Sequence, residues 1–223
     1  MDTKLNNKIK DQQKLIQILI YTTIVIVILN IINVLMGEPF WQITRLINVD
    51  TEGNFPTWFS SMMLAIAAFY AYNCFRASKN NDGKIWKLLS ISLVTMSCDE
   101  VAQIHEHLGN TINKYLIGLK NLNAAWLVIF GPFILGIIFI FVLKIKNQLV
   151  ESFQAIKFLR IGLFVYLGGA FLLESTVVFL TQGEAQWLWN IEYIAEETLE
   201  MFGIIFIIKG LIEHHRFLLQ KNS

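Results

Sequence analysis

Apolar residues run along this chain in six stretches, at roughly 15–36, 56–77, 86–108, 124–144, 158–181 and 191–212. Each is long enough to cross about 30 Å of hydrocarbon as an α-helix rising 1.5 Å per residue. Polar residues collect between them, and the longest connections, 37–55, 109–123 and 145–157, are too short to fold alone. The pattern predicts an all-α fold: one domain, 1–223, forming a polytopic transmembrane bundle of six helices. The first stretch exceeds a signal-peptide core and lacks a small-residue cleavage site, so it is expected to remain as a helix.

Composition agrees with the pattern. Hydrophobic residues make up 55% of the chain, with a mean hydropathy of +0.52 and only 3 prolines. The near-neutral net charge of +1 conceals a polarised distribution. With six spans both termini share one side, and that side carries all of the 18 basic residues except Arg45, Lys114 and Lys120. The excess of Lys and Arg places both termini in the cytoplasm. Most acids lie towards the opposite face. The basic residues flank spans and form no basic domain or groove, which argues against nucleic-acid binding. Cys74 and Cys98 fall at different depths, so no disulfide is expected between them.

Seven carboxylates interrupt the apolar pattern: Asp99, Glu100, Glu106, Glu174, Glu196, Glu197 and Glu200. An ionised group in hydrocarbon costs at least ~2.5 kcal/mol. Chain direction gives their depth. Asp99 stands late in a rising span, Glu174 late in another, and Glu196 early in a descending one, so all three map to the outer third of the membrane. Independent solvent-facing acids would scatter in depth. On a regular third span Asp99, Gln103 and Glu106 lie within about 60° of one another, with Glu100 and His107 on the adjoining strip and His105 opposite. In the sixth span Glu192, Glu196 and Glu200 share a stripe, with Glu197 beside it. Gly168 and Gly169 precede Glu174 and would let a neighbouring helix approach closely. An inverted repeat pairing the third and sixth spans fails, because matched positions would sit at mirrored depths and these sit at one depth.

Like charges at such spacing repel, and low dielectric strengthens the repulsion. Protons relieve it, and so does a bound cation. Carboxylates with one or two imidazoles make a ligand set suited to Zn, Fe or Mn. In that reading Glu100, His105, Glu106, Glu174, Glu196 and Glu200 hold a divalent metal, with Asp99 or Glu197 orienting a ligand or acting as general base. The Glu-x-x-His pair of di-metal bundles is absent. Two other readings stay open: a wet outer vestibule of protonated, hydrogen-bonded acids, and a proton or cation path.

The remaining unusual residues have plainer readings. Trp41, Trp58, Trp86, Trp126, Trp187 and Trp189 fall near span ends, as an aromatic belt requires. Asn30 and Asn33 can bond between helices. His214 and His215 follow the last span in an EHHR tail and are expected at the interface. Pro56 suits a first helical turn.

The motifs FPTWFSS, S-x-DE-x4-HE and EE-x2-E-x-x-G, in this order across six spans, resemble those of a family of bacterial integral-membrane proteins known chiefly as uncharacterised sequences. The resemblance covers most of the chain and rests on the short motifs. It implies a site at Asp99, Glu100, His105 and Glu106 of the third span and Glu196, Glu197 and Glu200 of the sixth, in a bacterial inner membrane. It also ranks His105 above His107, which requires a kink or unwound turn near Gln103. The leading expectation is a metal-dependent membrane enzyme, a hydrolase or di-metal oxidoreductase, acting on a lipid or another membrane-soluble substrate. A cation or proton-coupled transporter or channel is the alternative, and a non-catalytic sensor or accessory subunit the third.

Overall fold

A computed structural model describes residues 3–51, 53–79, 83–117, 125–179 and 186–222. Lys120, counted above among the outer basic residues, lies outside them. The described residues are all-helical: α1 (Thr3–Leu35), α2 (Trp41–Ile47), α3 (Phe55–Ala77), α4 (Lys84–Ala102), α5 (Ile104–Ile112), α6 (Ala125–Leu149), α7 (Phe153–Leu167), α8 (Glu174–Phe179) and α9 (Gln186–Asn222). A π-helical turn, Gly168–Leu173, joins α7 to α8, and another, Asn113–Ile117, extends α5. Four stretches are long and apolar enough to cross a membrane: Ile9–Leu35, Phe55–Ala77, Trp126–Lys146 and Phe153–Thr176. Helices α4 and α9 fall outside that set because charged residues interrupt them, Lys84, Lys87, Asp99 and Glu100 in the first and five glutamates with Lys209, Arg216 and Lys221 in the second. α2 is an addition, inside the expected 37–55 connection.

Local sequence explains the helix ends. Asn54 caps α3, its Oδ1 accepting the Thr57 N–H at 3.2 Å, and Pro56 occupies the first turn where no backbone donor is needed. Asn33 and Asn30 of α1 hold α2: Thr44 Oγ1 lies 3.1 Å from Asn33 Oδ1, and Asn30 Nδ2 donates to the Ile47 carbonyl at 3.3 Å. Ser61 and Ser97 each donate to the other's backbone carbonyl, at 2.7 and 2.8 Å, and clip α3 to α4.

α9 is the central helix and packs on α1, α3 and α7. Its Met201, Ile204, Ile208 and Leu211 are buried against Met63, Ala67 and Ala71 of α3. Against α7 the seam is glycine. A Cβ on Gly162 would stand 2.7 Å from Ile207 N, and one on Gly203 2.6 Å from Tyr166 N. The two backbones therefore touch, in the small-residue packing by which membrane helices associate closely.

Two expectations about polar side chains change. α9 continues ten residues past the expected span end and tucks its tail between α1 and α3, so His214 and His215 are buried rather than interfacial. Trp86 and Trp126 are likewise buried, whereas Trp41, Trp58 and Trp187 are exposed as a belt requires. Cys74 and Cys98 are both free.

Candidate functional site

The helix expected to form the third span breaks at Gln103. This residue adopts a left-handed conformation, φ 52° and ψ 36°, a region that non-glycine residues rarely enter. The chain restarts as α5, and the restart is held by Asp99. Its Oδ1 accepts the His105 backbone N–H at 2.9 Å, and its Oδ2 lies 2.7 Å from His105 Nδ1. One carboxylate thus fixes both the backbone and the ring of His105. On an unbroken helix His105 would project away from Asp99; the break is what turns it back.

Trp126 of α6 closes the next part of the site. Its ring meets His105 edge-on with centroids 4.8 Å apart, and its Nε1–H donates to Glu174 Oε1 at 2.6 Å. Gly109 of α5 admits it, since a Cβ there would lie 2.7 Å from the Trp126 backbone. Glu174 is aimed by the π-helical turn before it, whose extra residue re-registers the helix. In the same turn, a Cβ on Gly169 would stand 2.7 Å from the Glu196 carbonyl and 2.9 Å from Glu200 Cγ. The glycine is therefore what lets the α9 acids approach this helix.

The remaining acids join through space. Glu106 and Glu174 both act electrostatically on His105, and Glu106 and Glu192 on Glu174. Glu196 interacts with Glu174, Glu192 and Glu197, and its carboxyl lies close to that of Glu192. Glu200 interacts with Glu197, Glu100, Glu196 and Glu174. The Tyr166 hydroxyl feels Glu200, Glu100, Glu197 and Asp99. All seven acids singled out above therefore belong to one electrostatic network drawn from α4, α5, α8 and α9.

The sequence pattern gave no reason to select Trp126, Tyr166, Asp50 or Glu38, and the structure brings them to this network together with Glu192, already placed on the acidic stripe of α9. Asp50 lies in the connection after α2. Partial burial there, and then the charges of Glu38 and Glu106, push its carboxyl above the ordinary range. No local motif marks these residues; Trp126 in particular is indistinguishable in sequence from a belt tryptophan.

A metal ion is a poor fit to this arrangement. Among the described residues, no three His, Cys, Asp or Glu side chains come close enough together to hold one. The acids sense one another's charge without surrounding a common point. What the geometry provides is an oriented imidazole, 26% exposed at its side chain, in a field of carboxylates.

The described residues form an all-helical fold with four stretches long and apolar enough to cross a membrane and an acid-rich site at one end of the bundle. The chain matches, over residues 18–212, the family described as Domain of unknown function (DUF8692). It belongs to that family. No curated protein and no solved structure matches it.

Proposed function

We propose that this is a six-span integral membrane protein of a bacterial inner membrane, with cytoplasmic termini and an enzymatic acid–base site near the outer leaflet. His105 transfers the proton, Asp99 orients it, and the substrate is a lipid or another membrane-soluble molecule. The observation that carries this reading is the two-point grip of Asp99 on His105. With Nδ1–H donated to the carboxylate, Nε2 is left to take or give a proton, and the imidazolium formed in that step is stabilised by its partner. Glu106 and Glu174 add negative potential beside the ring. Glu174, held by Trp126, and Glu197 are the further carboxyls placed to exchange protons with a bound substrate.

The alternative, a proton or cation path, draws support from the linked acids but not from the middle of the bundle. There Met63, Ala67, Ala71, Ile204 and Ile208 fill the space between helices, and they offer no group to carry a proton onward. A divalent metal (Zn, Fe or Mn) has no role in this reading, given the spacing of the donors.

Proteoliposomes of mixed phospholipid and neutral lipid provide the test, with lipid species followed by mass spectrometry. A product formed by the wild type should fall at least ~100-fold in His105→Ala and by a smaller factor in Asp99→Asn, the scale of losing a positioned general base. Lipid profiles that are the same for all three proteins would refute the enzymatic reading. Dissipation of an imposed pH gradient by the wild type, without lipid turnover, would favour the path instead.

A further inference from the structure

At the opposite end of the bundle, the start of α1, the C-terminal half of α3 and the tail of α9 enclose an open pocket of about 520 Å³. Its polar wall is built from Asp11, Gln12, Tyr70, Asn73 and His215, and its apolar wall from Phe69 and Leu219. The polar wall is ordered from behind. Arg216 Nε donates to Gln12 Oε1 at 2.6 Å, its Nη1 donates to Glu213 at 3.0 Å, and the Tyr70 hydroxyl hydrogen-bonds Gln12. Gln12 and His215 are buried, 6% and 9% exposed, so the pocket floor is a fixed polar surface. Phe69 is 60% exposed and Leu219 42%, which leaves the pocket open sideways as well as towards the helix ends.

We propose that this pocket binds the headgroup of an amine-bearing zwitterionic phospholipid of the cytoplasmic leaflet. The chemistry divides along the wall. Asp11, the one acid lining it among the described residues, meets the ammonium. The amide of Asn73 and the imidazole of His215 meet the phosphate, an anion that amide and imidazole donors suit. Phe69 belongs to a membrane-crossing helix and faces outwards, so the acyl chains leave along it. A soluble phosphoester would use the same polar wall and leave that apolar opening without a function. The proposal depends on this end of the bundle lying at headgroup level and not on the acid–base site, so either can fail without the other.

Native mass spectrometry of delipidated protein in detergent tests it, with phosphatidylethanolamine, phosphatidylglycerol of matched chains and free phosphoethanolamine as probes. Wild type should retain phosphatidylethanolamine about fivefold better than phosphatidylglycerol, the size expected of one partly exposed ion pair. Asp11→Asn should erase that preference while melting like the wild type, because Asp11 is exposed. Asn73→Leu should weaken both lipids. Equal retention of the two lipids by the wild type, or an undiminished preference in Asp11→Asn, would overturn the proposal. Displacement of the lipid by free phosphoethanolamine at comparable concentration would overturn the lipid as the source.

Discussion

Lowering the pH should destabilise this protein through one histidine. His214 lies in the C-terminal tail of α9, 1% exposed, with its ring 4.5 Å from that of Trp86 and 6.3 Å from that of Phe217. Neither ring nitrogen has a hydrogen-bond partner among the described residues. Burial, and then the charge of His215, push its pKa down from 6.5 to about 4. The unfolded chain therefore binds a proton that the folded chain refuses between those two values. Stability is complete above the ordinary value, falls as pH drops through the window from 6.5 to about 4, and then levels off. At 1.36 kcal/mol per pKa unit, the full loss is on the order of 3 kcal/mol, and about 2 kcal/mol of it is reached by pH 5. The assay is thermal melting in detergent from pH 7.5 to 4.5, comparing the wild type with His214→Phe, which keeps a ring against Trp86 and cannot titrate. The variant should flatten the pH dependence over this window. If it melts with the same slope as the wild type, the buried neutral histidine is not its source and the reasoning fails.

Two further substitutions test the architecture of the site. Gly169→Ala puts a methyl group 2.7 Å from the Glu196 carbonyl, so α7 and α9 must separate; the cost should be about 1–3 kcal/mol in thermal or denaturant unfolding. Gly136→Ala, which meets nothing within 4 Å, should melt like the wild type and serves as the control. Trp126→Phe keeps an aromatic ring beside His105 but strands the Glu174 acceptor, and should cost about 1–3 kcal/mol. A melting temperature unchanged by that substitution would show that the indole–carboxylate bond does not hold the site.

That the acids share one level of the bundle was legible in the chain, and their partners were not. Position along a helix follows from a fixed rise per residue, so the order of apolar and polar positions was enough to find helical stretches and to put Asp99, Glu174 and Glu196 at one level. The start of α3 was legible for the same local reason: Pro56 marks a first helical turn by itself, and the structure adds the Asn54 cap. Facing direction is different, because it accumulates 100° per residue and is reset by any break. Gln103 is such a break, and it moved His105 from the far side of the helix to Asp99. Trp126 and Asp50 joined the network because α6 and the connection after α2 pack beside α5 and α9, a choice made by distant contacts such as Gly109 against Trp126. His214 became a buried base instead of an interfacial one because α9 runs on against its neighbours. Covalent order and hydropathy thus determined which segments are helices and at which level of the bundle the acids gather. The rotation of each helix, and with it every side-chain partner at the site, was decided by close packing between segments far apart in sequence.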